Sequence, residues 1–146
     1  MVKNNKRDYG IYQVAMKILL KRGDEYLFVL DSSGNRYDLP GGRADDNEYE
    51  IPLQKILERE VREELGRTLK CRLGKPIYQF RRHLKNKNRY VFITVYEAKY
   101  LSGRIKLSPE HTEYKWINLK SFKFKEKNFW SREEYSVSVN YFKNNL

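Results

Sequence analysis

At 146 residues the chain is long enough for one domain with a real core, and its net charge is +11. No apolar run reaches the roughly 20 residues that span a bilayer, and the polar start Met1-Val2-Lys3-Asn4-Asn5-Lys6 shows no signal-peptide pattern, so a cytoplasmic protein without a membrane partner is expected. The basic balance favours polyanions, nucleotide or nucleic acid, as partners, although Lys, Asn and Tyr enrichment from a biased genome accounts for it equally well.

Residues 11–20 read as a largely buried strand, Lys21-Arg22-Gly23-Asp24 as a turn, and Glu25 to Leu30 as a returning strand. Asp31 to Asn35 is a second turn signal. A strand-like run from Asn35 to Leu39 leads into Leu39-Pro40-Gly41-Gly42, read as a sharp turn in which glycine permits close backbone approach. A helix is expected over about 52–65, with Pro52 in its first turn and Gly66 as its stop. Pro76 to Arg82 and Arg89 to Tyr100 read as a hairpin joined by the basic segment His83 to Asn88. In the second of these strands Tyr90, Phe92, Thr94 and Tyr96 alternate with Val91, Ile93 and Val95, so both faces are expected to be partly buried. A late strand follows at Tyr114 to Leu119, and a last helix at about 132–144. Repeats and linkers are absent from this pattern, so one α/β layered domain over 1–146 is expected. The lone Cys71 excludes an internal disulfide and reads as a small buried hydrophobe.

The helix carries the chemistry. At about 100° per residue, Leu53, Ile56 and Leu57 share an arc with Glu60, Glu63 and Glu64. An amphipathic stripe ordinarily keeps one character along its length, and acids at i,i+3 and i,i+4 repel. A solvated acidic face is the ordinary explanation. The strand, Gly-Gly turn and loop that precede the helix outweigh it, because together they can hold a hard divalent cation, Mg²⁺ or Mn²⁺, between carbonyls and carboxylates.

These residues resemble the signature of the Nudix hydrolases, G-x5-E-x7-R-E-U-x-E-E-x-G-U with U aliphatic, over about 41–67. Gly42 and Glu48 match its opening, and Arg59, Glu60, Val61, Glu63, Glu64 and Gly66 match its core. Two departures stand out. Ten residues separate Glu48 from Arg59, so either a three-residue insertion lengthens the loop or Glu50 fills the position, the strict spacing falling on Ile51. Arg67 occupies the last aliphatic position. The run Glu110-His111-Thr112-Glu113-Tyr114-Lys115-Trp116 also resembles a stretch before a late strand in many members.

The resemblance implies an α/β/α sandwich with a mixed β-sheet and the acid-faced helix. It implies metal-dependent hydrolysis of a nucleoside diphosphate derivative by water attack on phosphorus, with Mg²⁺ or Mn²⁺ as cofactor. Glu63 and Glu64 would be metal ligands, and Glu60 a ligand or the base that activates water. Mutual repulsion should raise the proton affinity of one acid when no metal is bound. Arg59 would pair with and orient a helix carboxylate. The Gly41 carbonyl would be a backbone ligand, and Glu110 a distal acid with Glu113 behind it. Arg36 and Arg43 flank the Gly-Gly turn as candidate phosphate contacts, and Tyr78, Phe80, Tyr90 and Trp116 are aromatics able to stack on a base. Markers of ADP-ribose and dinucleoside-polyphosphate cleavers are missing from residues 81–86. Three further readings stay open: a non-catalytic domain that binds nucleotide or nucleic acid, an isoprenoid-isomerase-like relative (disfavoured, since Cys71 has no evident partner), and a homodimer.

Overall fold

The computed structural model describes residues 7–146; the polar stretch before them lies outside the described residues. The expected first strands form β1 (Gln13–Arg22) and β2 (Glu25–Leu30), joined at Gly23, whose φ of 60° suits a residue without a Cβ. Two short strands follow, β3 (Tyr37–Asp38) and β4 (Gly41–Arg43), then α1 (Leu53–Leu65). The hairpin is longer than the sequence pattern suggests: β5 runs Lys70–Leu84 and β6 Arg89–Ser102. β7 (Glu113–Ile117) and α2 (Arg132–Asn145) complete the fold, with Ser131 capping α2 by accepting the Glu134 N–H.

Among the described residues these strands form one mixed sheet, ordered β3-β2-β1-β6-β5, with β4 paired to β1 and β7 to β2. β1 and β6 run parallel, Gln13 opposite Val91 through Lys21 opposite Lys99, and the other pairs are antiparallel.

Period-2 alternation sends successive side chains of β1 and β2 to opposite faces. Met16, Ile18, Leu20, Leu27 and Val29 pack with Ile56, Leu57, Val61 and Leu65 of α1. Ala15, Leu19, Phe28, Leu30, Ile93 and Val95 pack with Phe142 of α2 on the other face. The sheet is therefore the middle layer of an α/β/α sandwich. Leu57 and Leu65 are fully buried, and each contributes about 1.5–3 kcal/mol of hydrophobic stabilisation.

Two expectations need correction. Gly41 and Gly42 are not a free turn: they pair with Lys17 and Met16 as strand β4. The second is partial: both faces of β6 are covered in its middle, where Thr94 and Tyr96 are half-buried and Ile93 and Val95 buried, but at its start Tyr90 and Phe92 are exposed.

Candidate active site

β4 and α1 meet at the two glycines. The Gly41 N–H donates to Glu64 Oε2 at 3.3 Å. Gly41 has φ 139°, and a Cβ there would run into the Met16 carbonyl, so no other residue lets β4 lie this close to β1. At Gly42 the constraint is different: a Cβ would overlap the Glu60 carboxylate. The missing side chain is the cradle in which Glu60 sits.

Arg59 organises the acids around that cradle. Its Nε donates to Glu48 Oε2 at 2.8 Å and its Nη2 to the other oxygen, a two-pronged pairing with a loop carboxylate. Glu48 Oε1 also accepts the Asp45 N–H, which closes a short 3-10 turn at 46–48. Glu48 thus fills the loop position and Glu50 lies exposed, while residues 49–51 form the turn that absorbs the extra length. Arg59 Nη1 reaches Glu60 at 3.1 Å and Glu63 at 3.0 Å. Arg59 was expected to orient a helix carboxylate; it ties the helix acids to the loop as well. Burial pushes the Glu60 carboxyl above its usual range; Arg59 opposes this, and the charges of Glu63 and Glu64 add to it. The expected direction holds, with burial rather than repulsion as the largest cause.

Glu64 is buried to 7% side-chain exposure, and its Oε1 has no hydrogen-bond partner. An unsatisfied buried carboxylate oxygen costs several kcal/mol unless a proton or cation meets it. His111 Nε2 lies 3.3 Å away without hydrogen-bond geometry. This contact lifts the imidazole above its usual value, against the opposing effect of burial. The chain after β6 delivers His111: Lys106 N–H donates to the Leu65 carbonyl and Ser108 N–H to the Glu64 carbonyl, satisfying the end of α1.

Other expected residues are placed differently. Glu110 is exposed in a turn and forms no ion pair among the described residues; its neighbour His111, not singled out in the sequence, is the one that reaches Glu64. Glu113 is exposed, 3.9 Å from Lys115. Arg36 turns its guanidinium to Trp130, 5.6 Å from the ring centre. Arg43 donates to Gln13 Oε1 at 2.8 Å, which keeps it beside β4. Phe80 is core, Tyr78 packs on Tyr141, and Trp116 is covered by Arg22 at 3.9 Å. Tyr90 alone of the four is exposed, stacked on His83 at 4.4 Å and near Tyr12.

A second charged group went unread. Lys17, Asp38, Arg82 and Glu134 form a buried network on the α2 face: Lys17 Nζ is 3.1 Å from Asp38, and Arg82 Nη2 is 2.9 Å from Asp38 and 2.7 Å from Glu134. Burial alone would raise the Asp38 carboxyl, but Arg82 and Lys17 outweigh it and hold it far below the carboxylate range. The available signal was Lys17 itself, a cation in the middle of an apolar strand that must find a partner.

Among the described residues no three His, Cys, Asp or Glu side chains stand close enough to enclose a metal as they lie. The donors nevertheless fit one. Glu64 offers an unpartnered oxygen, Glu60 is seated in the Gly42 cradle, and Glu63 makes an exposed i,i+4 pair with Arg59 of about 0.3–0.5 kcal/mol, weak enough to exchange for an ion. A groove of about 680 Å³ lined by Leu19, Arg22, Tyr26, Tyr100 and Tyr141 includes none of these residues.

An acid-lined helix is seated on a Gly-Gly strand and tied by an arginine to a loop glutamate. A NUDIX domain model matches residues 11–137, and the chain belongs to the Nudix family of hydrolases. It is similar to a MutT protein from Methanosarcina mazei Go1 (26% identity, 90% of this chain and 91% of that one, TM-score 0.69). It also shares its fold with an ADP-ribose pyrophosphatase from Streptococcus suis 89-1591 (18%, 93% and 96%, 0.62) and a UDP-X diphosphatase (12%, 0.65), covering 96% of this chain and 66% of that protein. No curated protein matches the sequence. No helix among the described residues is long and apolar enough to cross a membrane.

Proposed function

We propose that this chain hydrolyses the pyrophosphate linkage of a nucleoside diphosphate derivative, by water attack on phosphorus with a divalent metal at the α1–β4 junction. The observation that carries the reading is the buried, unpartnered Glu64 oxygen beside the Gly41 backbone, with Glu60 in the adjacent cradle. Glu60, Glu63, Glu64 and the Gly41 carbonyl would hold the ion. When bound, Mg²⁺ or Mn²⁺ neutralises phosphate charge and acidifies water. Glu60, seated in the Gly42 cradle and paired with Arg59, is the candidate to accept a proton from the attacking water. Arg59 keeps Glu60 and Glu63 in register with the loop, and Arg43, anchored on Gln13, stands where it can meet a phosphate. Tyr12, Tyr90 and Phe92 form an exposed aromatic face at the start of β1 and β6 that suits a base, with ring centres 5.8 and 6.5 Å from Tyr12. An ADP-ribose pyrophosphatase and a UDP-X diphosphatase among the similar structures are in keeping with this substrate class.

The same aromatic face and the +11 charge also favour a second reading, a module that binds nucleic acid without turnover. A phosphate-release screen with Mg²⁺ or Mn²⁺ separates the two. It would cover nucleoside triphosphates, dinucleoside polyphosphates, ADP-ribose and nucleotide sugars, with phosphatase added, using wild type, Glu63→Gln and Glu64→Gln. Turnover of one class that disappears in the variants is expected. Metal binding with silence across the panel, and nucleic-acid affinity untouched by the substitutions, would establish the binding module instead.

A further inference from the structure

The distal part of the site departs from an all-oxygen donor set. Glu110, the acid nearest in sequence to the expected position, is exposed, while His111 is half-buried with its ring turned toward α1. Its Nδ1 lies 3.4 Å from the Leu30 carbonyl. A proton on Nδ1 directed at that carbonyl leaves Nε2 as a lone-pair donor. A ligating histidine is ordinarily held this way, its far nitrogen fixed by a backbone carbonyl. Nε2 then faces Glu64 Oε1 at 3.3 Å, an oxygen more than nine-tenths buried and without a hydrogen-bond partner. Two lone-pair donors directed at each other need a cation or proton between them. Their separation is close to the ~3 Å between neighbouring ligands on one ion with bonds of about 2.1 Å.

We propose that His111 is a nitrogen ligand of the ion that Glu64 holds, so that the site takes Mn²⁺ or a similar borderline transition ion in preference to Mg²⁺. The proposal rests on the metal-dependent reading above. Imidazole suits transition ions, whereas Mg²⁺ prefers oxygen donors and keeps its waters. Neither donor has to travel: Gly41 fixes one oxygen of Glu64, and the backbone bonds of Lys106 and Ser108 to the end of α1 fix the segment that carries His111.

The test is pulsed electron paramagnetic resonance of Mn²⁺ bound to the full chain, which detects a directly coordinated nitrogen. It is paired with calorimetric titration of Mn²⁺ and Mg²⁺ into wild type, His111→Gln and His111→Glu. Expected are a ¹⁴N coupling in wild type that vanishes in His111→Gln, and a Mn²⁺-over-Mg²⁺ preference that falls about tenfold or more in His111→Glu. Mn²⁺ bound to wild type with no nitrogen coupling would overturn the proposal and leave the metal-dependent reading intact; the wild-type spectrum decides this even if a variant fails to fold. A coupling that survives in His111→Gln would overturn it too, assigning the nitrogen to another residue. A wild type that binds neither ion would overturn both.

Discussion

The molecule buries two charged groups, one on each face of its sheet, and treats them oppositely. On the α2 face Lys17, Asp38, Arg82 and Glu134 satisfy one another, with Arg82 bonded to two carboxylates and packed 4.3 Å from the Trp130 ring. On the α1 face Glu64 keeps an oxygen with no partner, and Glu60 holds its proton more tightly than usual. A network whose charges all find partners inside the protein has nothing left to offer a ligand. One with a buried oxygen left over does. Completeness of pairing, rather than the presence of buried charge, separates structure from chemistry here.

The largest expected effect lies in the closed network. Arg82→Met leaves buried Glu134 without a cation and Asp38 with Lys17 alone, and should lower unfolding free energy by about 3–5 kcal/mol in urea titration; a loss under 1 kcal/mol would show the network to be more open than its distances indicate. Glu64→Gln should do the reverse. It removes an unsatisfied charge, so its melting temperature should stay equal or rise, while kcat/KM falls roughly 10²–10³-fold. A variant that is both inactive and unstable would collapse the contrast. Tyr90→Ala probes the exposed aromatic face of Tyr12, Tyr90 and Phe92, and should raise KM about tenfold with kcat nearly unchanged if that face holds the base.

The smallest effect is in pH. Asp38 has a depressed folded value, so its contribution is fully present above its unfolded value of about 3.9 and is lost as pH falls toward the folded one. By pH 3 this group alone should account for about 1 kcal/mol of lost stability. Asp38→Asn should flatten that acid limb, and an unchanged limb would mean the pairing is weak.

Sequence patterns exposed the open site better than the closed one. Glu60, Glu63 and Glu64 break an apolar stripe at helical spacing, and Pro52 and Gly66 bound the helix within a residue of where it lies. Glu48 could not be separated from Glu50, because only its bond to Arg59 in space distinguishes them. Arg82 and Glu134 each look like surface charge until the sheet brings β5 against α2. The long β5 was read short because register shifts between Leu73 and Tyr78 interrupt its alternation. The glycines were read as a turn by composition, when what they supply is room for β1 and for a carboxylate. Nothing local to Glu110 and His111 shows which of the two adjacent residues turns inward; only the fold brings His111 to Glu64.

The parallel pairing of β1 with β6 has a consequence for synthesis. Every residue of the acid-lined helix has been synthesised by Gly66, but residues 13–21 gain their parallel neighbours only with residues 91–99. Closing that pairing means bringing together distant parts of the chain, which is slow compared with forming a helix. Until then the face of β1 that supports Glu64 has one flank bare. The nascent chain therefore carries its reactive carboxylates before it has a floor to set them on, and activity should appear with the central strands of the sheet rather than with the helix.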